Sequence, residues 1–416
     1  MDRLIFTIDL DAFFASCEEI KNPLLKNKPM VVSKQINGKG VVTTSNYQAR
    51  NLGVKSGMPL FKAKKMVPNI FIVEPDYEFY QKKANQVFKI INNYSNILEI
   101  ASIDECYVDL TRLAKKYSPI LIAKKIKEQI FKETNLIVSI GISTNVILSK
   151  IASSLDKPNG ITTIYKHEIP HKLWTLNINK LYMVGKSSSE ILYKYNINKI
   201  RDLANLKLNN EKYNEVKNFI GINIDKHIEH ANGIGRDKLL VKEVLVKSLS
   251  KDETFEFSIK DYKIFKEKVY EIFNKLFFRL NIRKLSCKTI NVSIKLDKQL
   301  NKKGVSQTLK YHSNNKELLW NSVNELSDKI FKENFSIRYI SISFSNLIER
   351  DKNFTQLNID QMNKKTKIDR IEKIISEINE KFNIEIFTGE KMKDNRFFNK
   401  KKYVDNDKIK FKIWDK

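Results

Sequence analysis

Residues 3–10, RLIFTIDL, alternate between polar and apolar and predict a strand, followed by a helix through about Ile20. Short strands are expected at 30–34 and 40–44, around the loop signal NGKG. Ser45 is placed to cap a helix running through Asn51, with Gly53 at its C-terminal end. MPLFKAKKM reads as a second short helix with Pro59 near its start, and Pro75-Asp76 opens a long helix from Tyr77 to about Tyr94. A strand pair follows around 97–111, an amphipathic helix over 119–134, a strand over 136–142 and a helix over 145–155. KPNGITTIY then gives a turn and a strand. This alternation predicts an α+β unit with a split, ferredoxin-like sheet and a smaller sub-domain inserted after its first strand, at roughly 12–76.

From about His167 the texture changes. INKLYMVGKSSSEILYKY and INKIRDLANL suggest a compact all-helical module to about 233, and NGIGRDK (Asn232–Lys238) is linker-like. A second α+β unit begins near 244, with a helix at 261–280 and strands at 288–296 and 337–346. After about Leu347 the chain turns polar, with one helical stretch (Lys367–Phe382) and a basic run, Lys400-Lys401-Lys402.

The 416 residues suffice for two to four domains, and 42% hydrophobic with 30% charged residues is ordinary for a soluble globular protein. Cys17, Cys106 and Cys287 form no paired framework and no C-x-x-C, which suits a reducing, cytoplasmic setting. No run reaches the length of a membrane span, and the N-terminus has no signal-peptide pattern. The formal charge of +27, from 75 basic and 48 acidic residues, points to a polyanionic partner. The abundance of Lys, Asn and Ile is also what an AT-rich coding sequence produces, so charge alone favours nucleic acid only slightly.

The chemistry lies in the carboxylates. ASIDECYVDL (Ala101–Leu110) sets Asp104 and Glu105 side by side between two apolar strands, where adjacent anions repel and resist burial. Asp9-Leu10-Asp11 ends the first strand. If that strand lies beside the 97–111 hairpin, Asp9 and Asp104 face one another with Glu105 alongside, a cluster that divalent cations would stabilise. Otherwise Asp104-Glu105 is a solvated hairpin turn. Asp11 is either a supporting acid or a solvated one.

At this point the sequence resembles the Y-family DNA polymerases, in their DinB-like, DNA polymerase IV group, over about 1–350. Four segments carry the resemblance in order: IDLDAFFASCEE (Ile8–Glu19), NYQARNLGVKSGMP (Asn46–Pro59), SIDECYVDLT (Ser102–Thr111) and GISTNVILSKIASSLDKPNGI (Gly141–Ile161). It implies an α+β multidomain fold. A ferredoxin-like palm (1–11 and 77–166) carries inserted fingers (12–76) and is followed by a small all-helical thumb (167–233). A linker (234–244), a separate α+β little finger (245–348) and a polar extension (349–416) complete the chain.

The resemblance also implies roles. Asp9, Asp104 and Glu105 would be the catalytic carboxylates and, with the Leu10 carbonyl, would hold two Mg²⁺, for which Mn²⁺ can substitute. Tyr47 and Arg50, three residues apart on a short helix, would grip the triphosphate with Thr44 and Lys157; the guanidinium fork suits phosphate. Phe13 and Phe14 match the nucleotide-contacting pair, Phe14 as the steric gate against a 2′-hydroxyl and Phe13 also suited to the core. Ser56 and Gly57 match the floor beneath the nascent base pair, whose small size gives weak geometric checking; Val41 and Thr43 neighbour it. LYMVGKSSSEIL resembles a helix-hairpin-helix, with Gly185 and Lys186 at the DNA phosphate, but Met183 stands where the family carries an earlier glycine. SLSKDETF (Ser248–Phe255) and RKLSCKTINVSIKL (Arg283–Leu296) match little-finger strands, with Lys284, Lys288 and Lys295 as backbone contacts. TQLNID (Thr355–Asp360) partly resembles a sliding-clamp peptide through Gln356-Leu357, though Asp360 stands where an apolar residue is expected.

The implied activity is template-directed translesion synthesis in DNA repair and replication, from dNTPs on primer–template DNA, by a monomer without proofreading and with no membrane partner. The alternatives are a template-independent palm-type nucleotidyl cyclase and a catalytically dead DNA-binding protein.

Overall fold

The computed structural model describes residues 3–35, 40–208, 210–241, 246–297 and 302–350. The helical stretch at 367–382, the clamp-like peptide at 355–360 and the basic run at 400–402 lie outside the described residues. The chain divides into two compact units between Glu243 and Val244.

The first unit is built on a five-stranded sheet in the order Leu98–Ile100, Glu105–Asp109, Ile5–Leu10, Val138–Ser143, Ile161–Thr163. The first four strands pair antiparallel and the last pairs parallel. Strand alternation sends Phe6, Ile8 and Leu10 to one face, where they join a core with helices Tyr77–Asn92 and Pro119–Thr134. Ile5, Thr7 and Asp9 point to the other face, towards helix Val146–Leu155: Ile5 packs on Val146, and the Thr7 and Ser149 hydroxyls meet at 2.8 Å. Gly141 makes this close approach possible, because a Cβ there would lie 1.9 Å from the Ser149 carbonyl oxygen.

The inserted region carries a three-stranded sheet, Thr44–Ser45, Met30–Val32 and Phe71–Val73, with helices Tyr47–Asn51 and Leu60–Met66. Two expectations need correction here. The strand expected at 40–44 is reduced to Thr44–Ser45 and a lone Val41–Pro59 bridge. The cap of helix Tyr47–Asn51 is Asn46, not Ser45: Asn46 Oδ1 accepts from the Ala49 N–H at 3.1 Å. Ser45 still belongs to the strand, and its buried hydroxyl donates to the Val54 carbonyl at 3.0 Å.

Beyond the sheet, helices Lys186–Lys194, Ile200–Ala204, Glu211–Ile220 and Asn223–Ala231 form an all-helical module whose core is shared with Ile147, Leu148 and Ile151. The linker-like stretch after it is fastened rather than free. Asn145 Nδ2 donates to the Gly233 carbonyl at 2.8 Å, and the Val146 N–H to the Arg236 carbonyl at 3.0 Å. Arg236 grips Glu99 with two bonds of 2.5 and 2.6 Å, and Leu239 packs against the cluster of Ile5, Tyr107 and Val146.

The second unit is built on a five-stranded antiparallel sheet, in the order Lys303–Ser313, Leu285–Leu296, Ile337–Ser345, Ser248–Ile259, with the short strand Ile348–Glu349 pairing Leu285 and Ser286 as the fifth. Helices Tyr262–Ile282 and Lys316–Ile330 cover one face. The other face is polar, and Ser248, Ser250, Asn291, Ser293, Ser341 and Ser343 line a shallow depression on it. Strand Lys303–Ser313 and helix Lys316–Ile330 had no counterpart in the sequence reading; the strand is a sheet edge whose side chains are mostly exposed, so it lacks an apolar run.

Candidate active site

The strand register brings the acids together. Asp9 and Glu105 are direct partners across antiparallel strands, and the Leu10 N–H donates to the Asp104 carbonyl at 2.8 Å. A tight hairpin holds the pair, with the Ala101 and Ser102 N–H groups both donating to the Glu105 carbonyl. Asp9, Leu10, Asp104 and Glu105 line a polar cavity of about 380 Å³ with Phe13, Phe14, Thr43, Thr44, Arg50, Ser56, Lys150 and Lys157.

The carboxylates have cationic and hydroxyl partners. Lys150 Nζ lies 2.9 Å from Asp9 Oδ2 and also binds Glu105; Lys157 binds Asp9. Burial pulls the Lys150 ammonium down, but Asp9 and Glu105 together hold it above the ordinary lysine range. Asp104 accepts from the Ser102 hydroxyl at 2.5 Å. Among the described residues, no three His, Cys, Asp or Glu side chains are arranged as a ready-made metal cage.

Asp11 lies past the strand end, where Ala12, at φ 46°, turns the chain into helix Phe13–Lys21. Its carboxylate is buried, not solvated: it accepts from Ser139 Oγ at 2.7 Å, the Asn159 N–H at 2.8 Å and the Tyr47 hydroxyl at 3.2 Å. Burial, then the Asp11 charge, pushes the Tyr47 phenol well above its usual range. The Arg50 guanidinium stacks 4.9 Å over the Tyr47 ring, and its Nε donates to the Ser45 carbonyl at 2.9 Å.

Phe14 faces the cavity and stacks on Tyr80, with centroids 4.5 Å apart and planes at 16°; Tyr77 meets it edge-on. Tyr80 is anchored through its hydroxyl to Glu18 at 2.6 Å. Phe13 borders the cavity but is otherwise buried in the core. Ser56 borders the cavity and Gly57, at φ 83°, has open space around it.

The remaining residues named from sequence lie elsewhere. Gly185 is the N-cap of helix Lys186–Lys194, and Lys186 projects into solvent. Met183 takes φ 71°, the left-handed backbone that a glycine would adopt. Lys284 and Lys288 belong to the second unit, Lys288 at a bulge of strand Leu285–Leu296.

The sequence reading missed Lys150, Ser102, Ser139, Tyr77 and Tyr80. One signal was available for Lys150: it is the lone charge in the helix VILSKIASSL, and a half-buried cation demands an anion.

Comparison with known proteins agrees with this arrangement. The impB/mucB/samB family model matches residues 8–154, and the model of that family's C-terminal domain matches 246–359. The DNA polymerase IV of Ureaplasma parvum serovar 3 is 34% identical over 357 residues, covering 84% of this chain and 96% of the relative. That of Clostridium perfringens is 34% identical over 358 residues, covering 84% and 95%. Among solved structures, a Y-family DNA polymerase chimera of Dbh and Dpo4 is similar at a TM-score of 0.72 and 27% identity, over 83% of this chain and 99% of that one. DinB from Sulfolobus solfataricus gives a TM-score of 0.56 at 27% identity and the same coverage. The resemblance carried by the four motifs is borne out, and the chain belongs to the impB/mucB/samB family of Y-family DNA polymerases, in the DNA polymerase IV group.

Proposed function

We propose that the protein is a template-directed, low-fidelity translesion DNA polymerase that extends a primer 3′-hydroxyl with deoxynucleotides and does not proofread. The observation that carries this reading is the convergence of Asp9, Asp104, Glu105, Arg50 and Lys157 on one polar cavity walled by Phe14.

The donor set suits hard divalent cations. It is made of carboxylate oxygens and the Leu10 carbonyl, and the Asp9–Glu105 pair already draws two ammonium groups. Asp9, Leu10, Asp104 and Glu105 would hold two Mg²⁺. When bound, such ions lower the pKa of the primer hydroxyl and neutralise charge on the triphosphate and the departing pyrophosphate. The chain's own groups do the rest. Arg50, Tyr47, Thr44 and Lys157 bind and orient the triphosphate. The Phe14 ring fills the space a 2′-hydroxyl would need. Ser56 and Gly57 leave the nascent base pair loosely checked.

We assign the palm to 1–11 and 77–166, the fingers to 12–76, the thumb to 167–233 and the little finger to 245–348. DNA would run against the open helix start at Gly185 and Lys186 and against Lys284 and Lys288. The hydroxyl-rich sheet face of the second unit suits sequence-neutral backbone contact. Among the described residues no helix is long and apolar enough to cross a membrane, and a cytoplasmic monomer is our expectation.

Primer extension on damaged and undamaged templates tests the reading. The wild-type chain with Mg²⁺ should extend both and Asp104→Ala neither. Loss of template dependence, or full activity in Asp104→Ala, would overturn it.

A further inference from the structure

Asp11 is, at 2% exposed, the most buried acid among the described residues. A buried carboxylate is costly unless every lone pair finds a donor. Its donors come from three separate segments, and they divide between its two oxygens. Oδ2 takes the palm side: Ser139 Oγ at 2.7 Å and the Asn159 N–H at 2.8 Å. Oδ1 takes groups assigned to the triphosphate: the Tyr47 hydroxyl at 3.2 Å and the Lys157 ammonium at 3.6 Å. Arg50 in turn stacks on the Tyr47 ring. The Asp11 backbone is itself fixed, its N–H donating to the Ile137 carbonyl at 2.9 Å and its carbonyl accepting from Ser16 Oγ at 2.7 Å.

We infer that Asp11 is a positioning residue for the triphosphate grip, holding the inserted helix Tyr47–Asn51 at a fixed spacing from the Lys157–Asn159 turn of the catalytic sheet. One oxygen ties it to the sheet and the other orients Tyr47, and through its ring Arg50, together with Lys157. Three nucleotide ligands drawn from two distant stretches of sequence thus share one buried anchor. The inference rests on the polymerase reading.

Asp11→Asn separates the two sides. With its remaining oxygen towards Ser139 and Asn159, the new amide faces Tyr47 and Lys157 and cannot accept from either. Single-nucleotide insertion on undamaged primer–template gives the readout. Asp11→Asn should raise the KM for dNTP about tenfold, with kcat changed by less than about threefold. Primer–template affinity without nucleotide should stay unchanged. On a Tyr47→Phe background the same substitution should cost less than about threefold, since of the two Oδ1 contacts it removes the shorter, to Tyr47, is already gone. Ser139→Ala, which loosens the same carboxylate without touching a nucleotide ligand, should raise KM in the same direction by a smaller factor, and it carries the test if Asp11→Asn does not fold. An unchanged dNTP KM in both variants, or a fall in thermal stability with no KM effect, would make Asp11 a plain structural acid and overturn the inference. Failure of the wild-type chain to extend a primer would instead sink the polymerase reading.

Discussion

Asp9 and Glu105 stand opposite each other across two antiparallel strands, and Lys150 binds both, at 2.9 Å in the case of Asp9. Two anions in that position need a cation. Lys150→Ala should therefore destabilise the metal-free first unit, by about 1–3 kcal/mol on the scale of a lost charged hydrogen bond. Added Mg²⁺ should recover most of that loss, because it serves the same pair of carboxylates. Thermal melting with and without Mg²⁺ checks this; an equal loss in both conditions would refute it.

The Phe14 ring, the proposed gate, has a fixed support. Tyr80 stacks beneath it, buried and tied to Glu18. Phe14→Ala should ease ribonucleotide incorporation by about tenfold or more, since a filled volume becomes open space. Tyr80→Leu should erode the discrimination less, by letting the ring tilt. Tyr80→Phe keeps the stack and should leave discrimination intact while costing stability through the hydrogen bond lost at Glu18 Oε1. Competing dNTP and rNTP insertion measures all three.

Met183 holds a left-handed backbone at φ 71° while 63% exposed, two residues before the hairpin glycine Gly185. That conformation costs a side-chain-bearing residue roughly 1–2 kcal/mol. Glycine removes the cost but is freer in the unfolded chain, which returns about half of it. Met183→Gly should then stabilise the hairpin by about 0.5–1 kcal/mol and slow hydrogen exchange at the start of helix Lys186–Lys194. The hairpin backbone thus survives the loss of its glycine, and faster exchange in the variant would show that it does not need one.

Legibility followed the kind of signal each element carries. Helix Pro119–Thr134 fell at its expected bounds because its apolar spacing is undiluted. The first strand and the acidic hairpin were read correctly because their alternation is strong, though the register sets Asp9 opposite Glu105 rather than Asp104. Ser139 could not be expected, since its contact is with an acid 128 positions away, and the lone charge of Lys150 signals a need for an anion without naming Glu105 and Asp9, 45 and 141 positions off. The stretch at 232–238 looked like a free linker because it is polar and glycine-containing. Its partners, Glu99 and Asn145, lie far off in sequence, and its glycines serve close packing: a Cβ on Gly235 would sit 2.5 Å from Ile147.

The thumb carries a pH response of definite sign. His227, on helix Asn223–Ala231, is 4% exposed, and its Nδ1 has no hydrogen-bond partner among the described residues. Burial, then the neighbouring His230, lowers its pKa below the ordinary histidine value, and His230 is itself lowered by burial. Well above the ordinary histidine value of about 6.5, both are neutral, folded or unfolded, and contribute no slope. Below it the unfolded chain takes up protons that the folded thumb refuses, so stability falls as pH drops towards the folded pKa values. The slope reaches at most about 1.4 kcal/mol per pH unit for each histidine. Hydrogen exchange over 223–231 should accelerate between pH 6.5 and 5 beyond the intrinsic chemical trend. His227→Leu should remove its share of that acceleration while leaving behaviour at pH 8 little changed. An acceleration identical in the variant would assign the acid sensitivity to other groups and leave His227 a passive part of the core.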